Sequence, residues 1–281
     1  MIFTGISGGR TSAYVAANYP ADKLLFSLVC VDDPKCANPD HFLMRYANDK
    51  IEKYCSSFGE VVGTAEDPII FQTMFELEQF LGREIIWLRD LSFDQLIKKK
   101  GSLPIKQKRW CTTFLKIQPA FWFWFNYFSP NPVGFNVGYR FEEQERVNHF
   151  TTQWTFADYC KLNAKRNKQH LVHDVSWRHA LFPLIEDKIT RPRINHYWRD
   201  KNIKFADDSN CQHCMFKQIE QIRKNYSKNP NQIEWAHNIE SNKKFNWHHD
   251  FSIMEAKSIS LDLEFAFGDS DAGCQAGECV S

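Results

Sequence analysis

The segment Ser7-Gly8-Gly9-Arg10-Thr11-Ser12 near the N-terminus combines two adjacent glycines with three hydroxyl side chains. Glycines let backbone amides approach an anion closely, and the hydroxyls supply further hydrogen-bond donors. The segment opens an alanine-rich helical run, so the partial positive charge of a helix N-terminus lies beside it. The pattern predicts a phosphate site, with a capped glycine turn as the alternative. A Walker loop is excluded, because no Gly-Lys-Ser/Thr follows at the required spacing.

A second group of reactive residue types is Cys211-Gln212-His213-Cys214. A C-x-x-C turn holds two thiolates on one metal or cluster atom, so further ligands must come from elsewhere in the chain. The nine cysteines are an odd number and are spread over the whole length. That distribution favours a reducing compartment with free thiols over the disulfide framework of a secreted protein.

Basic side chains recur in short motifs further along the chain, at Arg109, Lys116, Arg140 and Arg146. Guanidinium and ammonium groups stabilise charge on a reacting phosphate or sulfate, and a parallel sheet brings such motifs to one edge. We interpret them as site candidates, with solvated surface charge as the alternative. A lysine cluster is predicted to be a solvated surface, with contact to an anionic substrate or RNA as the alternative. Its members are Lys98, Lys99, Lys100, Lys106 and Lys108.

The elements that must position these residues alternate in type over the first half of the chain. Strands are predicted at residues 2–6, 24–31, 60–63, 84–88 and 133–137, and helices at 11–18 and 39–58. This alternation is typical of βαβ units and predicts an α/β fold with a Rossmann-like parallel sheet flanked by helices. The turns after the strands then lie at one edge of the sheet, where ligands bind in such folds.

The second half of the chain differs in composition. After Tyr139 it becomes polar and histidine-rich, with helices predicted at residues 191–202 and 215–227. Just before it, residues 120–128 are apolar on every side, which predicts a buried helix. We predict an α/β nucleotide-binding domain at residues 1–140, a smaller and mostly helical lobe at 141–266, and a flexible cysteine-containing tail at 267–281.

The composition as a whole is that of a globular protein, with 43% hydrophobic and 25% charged residues. The 24 Phe, 9 Trp and 9 Tyr predict an aromatic-rich core. A net charge of +1 creates no global field for nucleic acid or membrane, so any anion site must be local. No apolar run reaches the ~18 residues of a membrane span and no signal-peptide pattern is present, so we expect a cytoplasmic protein.

Several of these motifs resemble one known group of proteins. The segment Ser7–Ser12 is similar to the PP-loop of the adenine nucleotide α-hydrolase superfamily, usually Ser-Gly-Gly-x-Asp-Ser, with Thr11 where Asp is usual. Residues 103–119 contain Arg-x-Cys-Thr-x-x-Leu-Lys followed by Pro, which resembles the phosphoadenosine phosphosulfate (PAPS) reductase-like branch. Residues 138–143 with Arg146, and residues 182–185, also fit that branch. The matches extend in order from residue 7 to residue 214.

The resemblance implies an adenine nucleotide substrate, ATP or PAPS, acted on beside its α-phosphate. Arg109 and Lys116 are implied as catalytic residues. Asp32 follows the second predicted strand, where members contact adenosine or a bound metal such as Mg²⁺, and a capped turn is the alternative. The other implied nucleotide contacts are Ser7, Gly8, Gly9, Arg10, Thr11, Ser12, Arg140 and Arg146.

The resemblance also implies a metal centre. In iron-sulfur members, cysteines near the Arg-x-Cys-Thr motif join a later C-x-x-C around a [4Fe-4S] cluster, which implies Cys111, Cys211 and Cys214 as ligands here. Such reductases carry adjacent cysteines where this chain has Trp110-Cys111, so the fourth position stays open. Candidates for it are Cys274, Cys279, Cys160, His213 and an exogenous sulfur species. Zinc and a metal-free thiol pair are the alternatives to the cluster.

The tail sequence Gly277-Glu278-Cys279 is similar to the Glu-Cys-Gly ending of sulfonucleotide reductases. There a terminal cysteine attacks the sulfate sulfur and is released by a thioredoxin-type reductant, which requires a mobile tail. Val280-Ser281 departs from the usual continuation, and Cys274 lies close enough in sequence to pair with Cys279. Cys279 is therefore a candidate nucleophile, a candidate ligand or an idle thiol.

Two enzymatic mechanisms and one binding role follow from these expectations. The chain either splits ATP to activate an acceptor for sulfur transfer, which the Gly8-Gly9 pair favours, or reduces PAPS or adenylyl sulfate through Cys279. The alternative is a nucleotide-binding, non-catalytic subunit of a sensing or nucleic-acid modification system, which Thr11 in place of Asp favours. Expected partners are the nucleotide and a sulfur donor or thioredoxin-type reductant.

Overall fold

Five parallel strands form one sheet at the centre of the computed structural model, which describes residues 1–149, 175–243 and 245–260. They are β1 (Ile2–Ile6), β2 (Lys23–Ser27), β5 (Ile85–Leu88), β6 (Val133–Asn136) and β7 (Arg178–Leu181). The numbering follows the chain, and the two shorter strands β3 and β4, which lie outside this sheet, come between β2 and β5. Their spatial order is β5-β2-β1-β6-β7. The direction of winding therefore reverses between β1 and β6, and ligands of open parallel sheets bind outside the carboxyl ends of strands at such a reversal.

Helices connect the strands and continue into the C-terminal part. The first group is α1 (Arg10–Asn18), α2 (His41–Cys55), α3 (Ile69–Leu81), α4 (Phe93–Lys100) and α5 (Trp110–Thr112). A π-helical turn (Thr113–Ile117) joins α5 to α6 (Gln118–Tyr127), and a 3₁₀ segment (Phe141–His149) follows β6. The second group is α7 (Pro183–Glu186), α8 (Arg191–Trp198), α9 (Ile219–Lys228), α10 (Pro230–Lys243) and α11 (Ile253–Ser258).

The sheet forms because its strands are apolar on both faces, as parallel strands covered by helices must be. All residues of β5 and β6 are buried. The predicted aromatic core is confirmed: the ring of Trp87 packs against Phe26 and Phe71 with centroids 4.8 and 5.5 Å apart. A second apolar cluster joins α4 and α5 to α9, α10 and α11 through Phe93, Trp235 and Trp247. This cluster packs the C-terminal helices against α4, α5 and Val31 of the short strand that follows β2.

Several sequence predictions differ from the structure. The strand predicted at 24–31 ends at Ser27, and β3 (Cys30–Val31) pairs antiparallel with β4 (Gly63–Thr64) outside the main sheet. The sheet does not end at residue 140, because β7 pairs with β6 in parallel and adds a fifth strand from the predicted second lobe. The helix predicted at 120–128 is buried on one side only, since Phe125 and Tyr127 are exposed.

The strand predicted at 60–63 is wrong in its bounds, since β4 shares only Gly63 with it. The segment 39–58 is α2 followed by a short 3₁₀ turn (Ser56–Phe58), and the remaining predicted elements of the α/β unit are confirmed within one or two residues. The two C-terminal helices are shorter or shifted: α8 ends at Trp198 and α9 begins at Ile219. Among the described residues, no helix is both long and apolar enough to cross a membrane.

Candidate nucleotide and thiol site

The glycine loop, defined as Ser7–Ser12, leaves the carboxyl end of β1 and enters α1. Gly8 has φ of +81°, a left-handed conformation that glycine adopts without a Cβ penalty. A Cβ on Gly8 would lie 3.0 Å from Cγ1 of Ile70, so the close approach of α3 also disfavours a larger residue here. Within the described residues, the amides of Gly8, Gly9 and Arg10 donate no hydrogen bond. These three donors remain available to a ligand.

Two hydroxyls of the glycine loop, those of Ser7 and Ser12, make hydrogen bonds within the loop and stabilise its conformation. The Ser7 amide donates to Ser12 Oγ at 3.1 Å, and Ser12 Oγ donates to the carbonyl of Gly9 at 3.1 Å. Ser7 Oγ lies 3.2 Å from Ser12 Oγ. Arg10 is exposed, and its guanidinium lies over the ring of Phe205. The predicted donors Ser7 and Ser12 therefore shape the loop, while Arg10 points toward an aromatic ring.

Arg140 brings a buried positive charge to the glycine loop from the carboxyl side of β6. One of its terminal nitrogens donates to Thr11 Oγ1 at 3.4 Å. Its guanidinium also pairs with Glu142 at 3.1 Å and Glu143 at 3.3 Å. Arg146 binds the other oxygen of Glu143 at 2.5 Å and so connects to Arg140 through a shared carboxylate. The reversal point between β1 and β6 thus holds the loop and Arg140 together.

A segment from the C-terminal part covers one side of the glycine loop. A Cβ on Gly9 would lie 2.9 Å from Ser209 Oγ, and Ser7 Oγ donates to Ser209 Oγ at 3.3 Å. We call Asp208–Cys214 the bridging segment, because its further residues reach a second site. Ser209 and Cys211 are two residues apart, so their Cα atoms lie within about 7 Å of each other.

That second site is a small cavity, called here the thiol cavity. Its volume is about 30 Å³, which accommodates about two water molecules or a single ion. It brings together the Arg-x-Cys-Thr motif and the C-x-x-C turn at the end of β2. Its lining side chains include Arg109, Cys111, Lys116, Asn210, Cys211 and Cys214. The three cysteines that were predicted to act together therefore share one cavity.

Lys116 contributes a charge that is paired with a carboxylate. Its Nζ lies 3.1 Å from Glu66 Oε1, and both side chains are buried. Glu66 Oε2 accepts the Val29 amide at 3.4 Å, beyond the end of β2. Arg109 lies over the ring of Phe216, and both residues line the cavity. The two predicted basic residues thus border the thiols, while Glu66 was not predicted and carries no local sequence signal.

The environment of the Cys211 thiol favours its protonated form. Burial raises the pKa of Cys211 well above its ordinary value, and the charge of Lys116 opposes that shift. The Cys214 amide donates to the Cys211 carbonyl at 3.0 Å, which closes the C-x-x-C turn. A buried neutral thiol is a weak nucleophile, so reaction at Cys211 requires that its proton be removed.

The thiol cavity fits a metal in donor chemistry but not in geometry. Thiolates are soft ligands, and Cys111, Cys211 and Cys214 are close. Among the described residues, however, no three Cys, His, Asp or Glu side chains are placed to hold a metal ion. Cys160, Cys274 and Cys279, which were fourth-ligand or nucleophile candidates, lie outside the described residues. The described residues alone do not form a metal centre.

Two further candidates lie elsewhere. His213 is not among the residues that line the thiol cavity; its ring packs 4.2 Å from that of Trp247 in the aromatic cluster, where burial lowers its pKa. Asp32 is exposed and follows β3 instead of the main sheet, because β2 ends early. Its amide donates to Asp94 at 2.8 Å. Ser209 was missed by the sequence analysis, although its position two residues before Cys211 was a usable signal.

Comparisons with protein-family models, with curated proteins and with solved structures find no match to this chain. The structure itself defines the class of the protein: it is an α/β protein with a five-stranded parallel sheet flanked by helices, consistent with a Rossmann-like fold.

Proposed function

We propose that the chain is an adenine nucleotide enzyme of the PAPS reductase-like group in the adenine nucleotide α-hydrolase superfamily. In this proposal it acts beside the α-phosphate with cysteine-borne sulfur or redox chemistry. The observation that carries the proposal is the bridging segment, which contacts the glycine loop through Ser209 and lines the thiol cavity through Cys211 and Cys214.

The position of the glycine loop supports a nucleotide phosphate there. The loop lies at the winding reversal of the sheet, with three amides that have no acceptor within the described residues. Arg140 adds a guanidinium that reaches Thr11. Amides at a helix N-terminus and a buried arginine together favour a bound anion.

In the favoured mechanism, an acceptor attacks the α-phosphorus of ATP. The bond from that phosphorus to the α,β-bridging oxygen breaks, and pyrophosphate leaves with the electron pair. Arg109 and Lys116 offset the negative charge that develops on the α-phosphoryl oxygens and on the leaving oxygen. A sulfur donor first loads one cysteine of the thiol cavity as a persulfide, whose outer sulfur attacks the adenylylated acceptor and displaces AMP. A second cysteine then attacks the resulting disulfide, which releases the thiolated acceptor and leaves a Cys–Cys disulfide for a dithiol reductant. Before the substrate binds, Glu66 orients the Lys116 ammonium through their ion pair, and the substrate phosphate then competes with Glu66 for that ammonium.

The reductive mechanism remains the second enzymatic candidate. Here the Cys279 thiolate attacks the sulfur of PAPS, the nucleotide leaves, and a cysteine S-sulfonate forms. A thioredoxin-type dithiol then reduces this adduct, which releases sulfite and forms a disulfide in the reductant. Cys279 lies outside the described residues, so this candidate draws its support from the sequence resemblance.

Product analysis separates the two mechanisms. The purified chain is incubated with ATP and Mg²⁺, or with PAPS, thioredoxin and a thioredoxin-reducing system. Pyrophosphate from ATP supports activation, and sulfite from PAPS supports reduction. Calorimetry that detects no binding of either nucleotide contradicts both. Anaerobic purification with an absorption spectrum and iron, zinc and sulfide analysis distinguishes the [4Fe-4S] cluster that the sequence resemblance implies from zinc and from free thiols.

A binding-only role is favoured by one observation. Thr11 stands where the PP-loop pattern has Asp, and its hydroxyl accepts a hydrogen bond from Arg140 instead of offering a carboxylate to a metal. Such a loop keeps its donors for phosphate but lacks an Mg²⁺ ligand at that place. Tight ATP binding with no turnover of ATP or PAPS would support this role.

A further inference from the structure

Ser209 meets the glycine loop with one hydroxyl. It accepts a hydrogen bond from Ser7, and within the described residues its own proton has no acceptor. Its Oγ lies so close to Gly9 that a Cβ there would be 2.9 Å away. The hydroxyl is thus beside the free loop amides with a donor still available.

Lys217 binds the side chains of the two residues on either side of Ser209. Its buried Nζ binds Asp208 Oδ1 and, at 2.5 Å, Asn210 Oδ1, which are the two neighbours of Ser209 in the chain. The Lys217 amide donates to the Cys214 carbonyl at 2.9 Å. One residue therefore ties the C-x-x-C turn to the two residues that flank Ser209.

The far end of the bridging segment is also fixed. The Gln212 amide donates to the carbonyl of Ala65 at 2.8 Å, next to Glu66. Asn225 of α9 donates to the Gln212 carbonyl at 2.8 Å. The segment is therefore anchored to α9 and to the loop after β4, and Ser209 is held over the glycine loop by a rigid support.

We propose that Ser209 is a further ligand of the phosphate bound at the glycine loop, supplied by the C-terminal part of the chain, and that Lys217 is its positioning residue. This inference rests on the proposed nucleotide site. On binding, Ser209 keeps its bond from Ser7 and donates its own proton to a phosphate oxygen. Lys217 stays paired with Asp208 and does not contact the nucleotide.

The test is calorimetric titration of ATP and of inorganic pyrophosphate into wild type, Ser209→Ala, Lys217→Met and the double variant. Loss of one hydrogen bond to a charged group predicts about tenfold weaker binding of both ligands to Ser209→Ala. Lys217→Met should have a similar effect. The double variant should bind no more weakly than Lys217→Met, because both changes remove the same contact.

Ser227→Ala is the matched control, because this hydroxyl donates to the Lys224 carbonyl on α9, away from the loop. If Lys217→Met fails to fold, Asp208→Asn replaces it, since this change weakens the same support. Unchanged or tighter binding by Ser209→Ala overturns the inference, and tighter binding would identify Ser209 as a cover that competes with phosphate. Additive losses in the double variant overturn the role of Lys217. If wild type binds neither ligand, the proposed function fails and this inference fails with it.

Discussion

Lys116 Nζ lies 3.1 Å from Glu66 Oε1, in a pair whose side chains are only 8% and 1% exposed. Lys116 lines the thiol cavity, while Glu66 also accepts the Val29 amide beyond β2. The pair thus connects the end of a central strand to the place where the two cysteine motifs meet. In a buried ion pair each charge compensates the other, so the stability of the fold depends on the presence of both partners.

Removal of one partner from this pair should be costly. Glu66→Gln removes the carboxylate that pairs with the buried Lys116 ammonium, and we expect the free energy of unfolding to fall by about 3 kcal/mol. Glu66→Leu combined with Lys116→Met should recover part of that loss. The measurement is urea denaturation followed by tryptophan fluorescence.

Lys257→Met is the control for this prediction, because its pair with Glu234 is partly exposed. It should change stability by less than ~1 kcal/mol. Equal losses in Glu66→Gln and Lys257→Met would show that the buried pair has no special role.

Gly8→Ala should destabilise the chain through two effects. Its positive φ disfavours any residue with a Cβ by about 1 kcal/mol, and the new methyl meets Ile70 in addition. Gly82 also has a positive φ, of +59°, but a Cβ there meets nothing within 4 Å. Urea denaturation should show a larger loss for Gly8→Ala than for Gly82→Ala. Equal losses would mean that α3 yields to the methyl group.

Stability should fall on acidification because of His248. Burial lowers its pKa to about 4, whereas the unfolded chain binds this proton near pH 6.5. Between these values the unfolded state carries more protons, so stability is lost as the pH falls from 6.5 toward 4, by up to ~1.4 kcal/mol per pH unit. Urea denaturation between about pH 4.5 and 7.5 measures this slope, since the range extends from just above the pKa of the folded state to above that of the unfolded state.

His248→Phe should reduce that slope, because the ring can still stack on Phe251 and no longer titrates, while the buried His213, whose pKa is also lowered, still contributes. His249→Phe is the control, since His249 is exposed and should leave the slope unchanged. An unchanged slope in His248→Phe would assign the acid sensitivity to other groups.

Arg140→Met should weaken ATP binding if the glycine loop holds phosphate. Loss of a charged hydrogen bond beside the anion predicts at least about tenfold lower affinity in calorimetry. Arg45→Met on α2 is the control, since Arg45 is exposed and distant in the fold from β6. Equal ATP affinity in wild type and Arg140→Met would place the nucleotide away from the loop.

Part of the fold could be predicted because its signals are local. Strands β1, β5 and β6 are short apolar runs bounded by turn residues, and such runs pair in parallel when helices separate them. The end of β2 could not be predicted, since Cys30 and Val31 are as apolar as the strand before them. Their partner is β4, more than thirty residues later, and only that pairing removes them from the sheet.

The same contrast applies to β7. Its sequence, Arg178-His179-Ala180-Leu181, has no continuous apolar run. It is nevertheless a strand because it can pair with β6 at the edge of the sheet, and edge strands need fewer apolar residues than central ones. Neighbours in space, not residue types, decide its conformation.

The sequence by itself determined the parallel α/β architecture, the glycine turn after β1 and the candidate cysteines, because periodicity, turn chemistry and ligand types are written in consecutive residues. Only the tertiary structure decided that Cys111 shares a cavity with Cys211 and Cys214, that Glu66 pairs with Lys116, and that Ser209 lies over Gly9. These contacts join residues far apart in the chain, and packing of the whole core is what brings them within bonding distance.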